Sequence, residues 1–386
     1  MFKSLTSSPR RRQFFNLLIF YAAYLWFRSF SSSVLAPHFL EQSVGLKQMI
    51  LGNTWFFLAG ALTLLLLRQL SSRPAWRWAI VLAFVGILVI IKIDYLWQFY
   101  LCNILLGINM VLFFAPYNII HFQLTPKTRT SYSSAILFSI YPLISLISPL
   151  LAGWLAEISY TYIWIGSGAF FLLVLYLTKF QIELNISFNW RRNLTYLRPT
   201  RVFILLQGLW ETVAFSAIPV FTLYFIQTPL YYGTYLAYLA LVAVVANFFL
   251  GQLSDKLRHR LSFLYPVTLL LVVTTLLLPL GINNLKLWLI LTGVLQFLLP
   301  LFWNFSTAFF VDLQPNLIRD MPVRAMLLAI SRTVGCFLIF ANFYFEARPT
   351  YIFYLLGGIM FLYPLLLWLR RRQYQSMLSL ANETQS

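Results

Sequence analysis

The sequence is short of charge. Only 10% of its 386 residues are charged, and only ten are Asp or Glu. A soluble domain is about a quarter charged. So few charges cannot cover a chain that is 60% hydrophobic with a mean hydropathy of +0.78, which excludes a water-soluble fold. No two acidic residues are adjacent, and His38, His121 and His259 share no motif with one. The paired acid/base or metal constellation of an intramembrane lipid or acyl transferase is therefore missing. Cysteine is nearly absent. Cys102 and Cys336 both fall in apolar runs and form neither a disulfide framework nor a metal-ligand spacing. No glycine-rich phosphate cradle is present, which argues against ATP-driven chemistry. No cofactor or metal is expected. A cleavable leader is not expected either, because the apolar run after "PRRR" is too long and lacks a small-residue cleavage site.

Long apolar runs are abundant. A spanning helix needs about 20 mostly apolar residues. Twelve candidates occur, at 14–36, 46–66, 77–95, 98–120, 131–154, 160–180, 201–224, 230–252, 261–281, 285–310, 323–345 and 349–369. An open strand could not satisfy its backbone in lipid. The expected fold is an all-α polytopic membrane protein with twelve transmembrane helices in two pseudo-symmetric six-helix bundles, residues 1–180 and 201–372. The polar stretch 181–200 would be a cytoplasmic linker and 373–386 a cytoplasmic tail.

The net charge of +18 could suggest nucleic acid, but the cations cluster in short loops between apolar runs. Twenty-two of the 28 Lys and Arg residues fall on one side of this topology. Only Lys47, Lys92, Lys286 and Arg348 fall on the other. That asymmetry predicts cytoplasmic termini in a plasma (inner) membrane. The sequons at Asn185 and Asn193 lie in the linker and read as chance.

The stretch Gly251–Arg260, "GQLSDKLRHR", aligns with Arg68–Arg77, "RQLSSRPAWR", at a constant offset of 183 residues, about half the chain. This duplication, the two six-helix halves and the basic central loop resemble the major facilitator superfamily. "GQLSDKLRHR" is similar to that family's Gly-x-Leu-x-Asp-Lys/Arg-x-x-x-Lys/Arg loop. The resemblance implies a cytoplasmic gate formed by Gly251, Asp255, Lys256 and Arg260 with Arg129 and Arg332. Asp255 would meet the start of the helix near Ser131, where a carboxylate complements the helix dipole. The first-half copy departs from the pattern, with Arg68 in place of Gly and Ser72 in place of Asp, so that gate must be held differently. "LTPKTR" at Leu124–Arg129 and "LQPNLIRDMPVR" at Leu313–Arg324 resemble matching loops of the two halves. "SPLLAGW" at Ser148–Trp154 resembles a motif of proton-driven exporters, although its small residues would equally serve close helix packing.

An ionisable residue in mid-membrane usually faces a cavity or a partner. Three qualify: Arg28, Glu211 and Arg332. Aligning Pro37 with Pro219 places Arg28 over Trp210, so Arg28 and Glu211 share a depth, one in each half. The one-residue offset turns the two side chains roughly 100° apart about the helix axis, which favours separate roles, Arg28 holding solute and Glu211 carrying a proton, over a pair. Arg332 reads as a gate or structural residue. Helical spacing joins Tyr24 to Arg28 and Gln207 to Glu211. Met110 and Tyr117 lie on one stripe of the fourth helix, ending at His121, and Gln296 and Trp303 on one of the tenth. In the family these helices line the central cavity. The expected function is a monomeric secondary transporter in the lipid bilayer. It would move a small solute by alternating access, coupled to protons, with "SPLLAGW" favouring export. The alternatives are a transport-inactive sensor or assembly partner and, more remotely, the transferase.

Overall fold

The computed structural model describes residues 9–124, 130–187, 189–254, 260–313, 316–345, 350–371 and 374. The chain is helical almost throughout. In order, α1 is Pro9–Ser32, α2 Leu35–Glu41, α3 Leu46–Leu66, α4 Ser72–Val89, α5 Leu96–Leu124, α6 Thr130–Ile158 and α7 Tyr160–Leu177. After the central segment come α8 Trp190–Tyr196, α9 Arg201–Thr212, α10 Ile218–Thr222, α11 Pro229–Ser254, α12 Arg260–Gly281, α13 Leu285–Leu313, α14 Leu317–Tyr344 and α15 Tyr351–Leu369.

Among the described residues, eleven spans are long and apolar enough to cross a membrane. The twelfth expected span, α1, is 24 residues long but is not among them, because arginines and Asn16 dilute it. It also ends earlier than residue 36. Ser31 donates to the Phe27 carbonyl (2.8 Å) and Ser32 to that of Arg28 (2.6 Å). Such back-bonding weakens a helix, and the chain turns before restarting as α2. The third span runs 72–89 rather than 77–95, since Pro74 is well placed in a first turn. The eleventh starts at Leu317 rather than 323, because the Asn316 side chain caps it by accepting from the Arg319 amide (3.1 Å).

The seventh span is a composite. Between α9 and α10, residues Val213–Ala217 form a π-turn. Pro219 explains it: proline cannot donate to the Phe215 carbonyl four residues back, and its ring crowds that group. Widening the turn relieves the clash, and such insertions recur at functional sites.

The segments before and after the linker meet along two seams, α6 on α11 and α3 on α14. In the first, a Cβ on Gly153 would lie 2.7 Å from the Pro229 carbonyl oxygen, and one on Gly233 would strike that of Pro149. The helices therefore cross with backbones nearly touching. "SPLLAGW" supplies Pro149 and Gly153 to this crossing, while Ser148 bonds Ser29 of α1. Its small residues are used for packing.

The described residues of the linker carry secondary structure, unlike the loop expected. Its strand β2, Asn185–Ser187, pairs antiparallel with β1, Gln69–Ser71, which lies just after α3. Its helix α8 rests on the start of α14, where Asn193 donates to the Arg319 carbonyl (3.2 Å) and the Arg319 guanidinium lies 3.8 Å from the Tyr196 ring centroid.

Candidate functional site

Glu211 is fully buried. Its Oε1 accepts from Gln207 Nε2 (2.8 Å) and Trp303 Nε1 (2.7 Å). Its Oε2 accepts from Arg332 Nε (2.8 Å) and also from Nη2 of the same guanidinium. An ionised carboxylate offers about four lone-pair sites and no proton. Four donors therefore occupy all of its acceptor sites.

The local sequence explains the geometry. Gln207 and Glu211 are one helical turn apart on α9. Gly208 and Gly335 let α9 and α14 touch. A Cβ on Gly208 would strike Ser331 Oγ and lie 2.9 Å from the Leu328 carbonyl. One on Gly335 would lie 2.6 Å from Thr212 Oγ1. That contact brings Arg332 to Glu211. The π-turn then aims Phe215 at the pair: its ring stacks on Trp303, with centroids 5.8 Å apart, and its centroid is 5.0 Å from the guanidinium.

The first half reaches this site through α3. The Phe57 ring centroid is 5.6 Å from the Arg332 guanidinium, within cation–π range. Asn53 donates to Ser216 in the π-turn (3.1 Å). The first contact crosses the α3–α14 seam, and the second joins α3 to the π-turn beside it.

The charge partner of Glu211 is thus Arg332, not Arg28. The two halves align in depth, but rotation about the helix axis decides which side chains meet. Arg28 is half-buried and, among the described residues, has no carboxylate within 4.0 Å. Tyr24 points into the first half, donating to Asn109 Oδ1 (2.9 Å), and Tyr117 is buried against Tyr21, with centroids 4.2 Å apart. Met110 and Gln296 are half-buried. Of the expected gate, Asp255, Lys256 and Arg129 lie outside the described residues. Gly251 is in the last turn of α11 and Arg260 opens α12.

Three contributors were not evident from sequence. Phe57 and Phe215 looked like two apolar residues among many, and the signal for Phe215 was Pro219 four residues on. Arg324 ends the loop motif Leu313–Arg324, yet it lies two turns inside α14. There it donates to Thr307 Oγ1 (3.3 Å) beside the Phe310 ring. Among the described residues, no group of three or more His, Cys, Asp or Glu is arranged to hold a metal.

The weak first-half loop is held by the linker. Ser72 is buried, donates to the Ile182 carbonyl (2.8 Å) and accepts from the Leu184 amide (2.9 Å). Arg73 Nε donates to the Gln181 carbonyl (2.7 Å). A hydroxyl serves both a donor and an acceptor, which a carboxylate cannot do. Ser72→Ala should orphan both backbone groups at a cost of about 1–3 kcal/mol. Trypsin should then cut at Arg191 and Arg192 roughly tenfold faster, since about 1.4 kcal/mol of local stability is a factor of ten. Ser72→Asp, although it restores the family's residue, should be no better, because it repels the Ile182 carbonyl. Unchanged cleavage in both variants would show that these bonds do not hold the linker.

No curated protein sequence matches the chain. A family model, the Major Facilitator Superfamily, matches residues 17–341. With that match covering most of its length, and with eleven helices among the described residues long and apolar enough to cross a membrane, the chain belongs to this superfamily of membrane transporters.

Proposed function

We propose that the chain is a proton-coupled secondary transporter whose halves, residues 1–180 and 201–372, rock about a midplane site with Glu211 as the proton carrier. The observation that carries this reading is the saturated shell around Glu211, one member of which leans on the opposite half. Arg332 lies between Glu211 and Phe57 of α3. Parting the α3–α14 seam would remove Phe57 and the Asn53–Ser216 bond, admit water to the guanidinium and free a lone pair on Glu211. Protonation would then weaken the hold on Arg332, so the charge state of the pair biases the two conformations. Alternating access around a midplane site is the common scheme of such folds. In this reading the face carrying the linker is cytoplasmic, because Lys and Arg collect there.

The test begins with a solute found by thermal-shift screening, since a ligand of the folded state raises its stability. In proteoliposomes with an imposed pH gradient, the wild type should accumulate that solute. Glu211→Gln should abolish gradient-driven accumulation while exchange at equal concentrations survives. Full accumulation by Glu211→Gln would overturn the assignment.

A further inference from the structure

On the face opposite the linker, a cavity of about 580 Å³ opens among α2, the loop after α4, the α6–α7 corner and the start of α11. Its wall carries His38, Glu41, Glu157, Tyr160 and Trp164 from the first half and Pro229 from the second. His38 is 3% exposed, and its ring centroid lies 4.5 Å from that of Tyr160 and 5.4 Å from that of Trp164. His38 Nε2 is 2.8 Å from the Ile90 carbonyl oxygen. A carbonyl only accepts, so Nε2 carries the proton. Burial holds the imidazole below its ordinary titration range, leaving Nδ1 a bare acceptor. That Nδ1 is buried and has no hydrogen-bond partner among the described residues.

The two carboxylates are also under-used. Glu41 accepts from the Tyr160 hydroxyl (3.2 Å) and Glu157 from the Leu230 amide (3.3 Å). Each bond occupies one of about four lone-pair sites. Among the described residues neither has a Lys or Arg within 4.0 Å, and the nearby Lys92 is engaged by Asp94 (2.7 Å). The wall therefore offers acceptors, two negative charges and aromatic surface. Its His and Glu residues are not among any group arranged for a metal.

We infer that this cavity binds an organic ammonium ion, its N–H donors directed at Glu41, Glu157 and His38 Nδ1 and its hydrocarbon part against Tyr160 and Trp164. Aromatic rings favour such cations over neutral isosteres. Glu157 bonds the first turn of α11, and Pro229 forms part of the wall, so the ligand touches both halves at their junction. The inference does not rest on the role of Glu211.

The test is calorimetric titration of the purified full-length protein with phenethylammonium at pH 7 and, separately, with 2-phenylethanol. The ammonium should bind saturably and the alcohol should not. Glu41→Gln and Glu157→Gln should each weaken binding roughly tenfold, as expected for loss of one charged hydrogen bond. The double variant should abolish it. Glu183→Gln, in the linker on the opposite face, should bind as the wild type does. Glu41 is exposed and away from the α6–α11 seam, so its variant stays decisive if Glu157→Gln loosens that seam. The absence of saturable ammonium binding, equal binding of the alcohol, or undiminished affinity in the double variant would each overturn the inference.

Discussion

Arg332→Gln and Glu211→Gln should each destabilise the protein by about 3–5 kcal/mol, because removing one member of a buried ion pair strands the other. The double variant should recover most of that loss. Arg332→Gln should be the worse single change. It leaves a fully buried carboxylate with only Gln207 and Trp303, whereas the Arg332 side chain is 11% exposed and keeps the Phe57 and Phe215 rings. Reversible unfolding in mixed micelles, run as a double-mutant cycle, gives the coupling energy directly. Additive single effects would mean that the pair contributes nothing to the fold. Arg28→Gln added to Glu211→Gln should give no rescue, because Arg28 is not the partner.

Gly208→Ala should be comparably damaging for a steric reason. The new methyl would strike Ser331 Oγ, which can move, and would sit 2.9 Å from the Leu328 carbonyl, which cannot move without shifting α14. Overpacking of this kind costs about 1–3 kcal/mol, and more when backbone must give way. Displacing α14 also pulls Arg332 from Glu211, so part of the pair's energy is lost as well. Gly208→Ala/Ser331→Gly should recover only part of the loss, since the carbonyl contact remains. The same unfolding measurement decides: a wild-type midpoint for Gly208→Ala would show that α9 and α14 are not held at this distance.

Some of the site was legible beforehand. The four-residue spacing of Gln207 and Glu211 put them on one face, and they are hydrogen-bonded. Trp303 shares a stripe of its helix with Gln296, and its indole N–H reaches Glu211. Arg332 was placed in a helix but not with its partner, because the repeat points from Glu211 toward Arg28. A repeat reports depth in the membrane, whereas pairing depends on how each helix is rotated. Arg324 falls inside α14 because Asn316 caps that helix and starts it six residues before its apolar run. The linker was read as a polar connector, and its strand has only three residues, too few for a periodic signal.

The sequence by itself determined that this protein is a helical membrane protein, where most of its helices lie and on which face its cations collect. That information is local. In lipid each segment must satisfy its own backbone, so length and hydropathy over about 20 residues suffice. Only the tertiary structure decided that Glu211 meets Arg332 rather than Arg28, that Phe57 from the other half touches the pair, and that Ser72 is clasped by the linker. These contacts join residues more than a hundred positions apart. They are set by helix rotation, by the close approach that Gly208 and Gly335 permit, and by the π-turn that Pro219 forces. The first two are properties of packed helices rather than of any one segment; the π-turn is local, but the partners it meets across the packing are not.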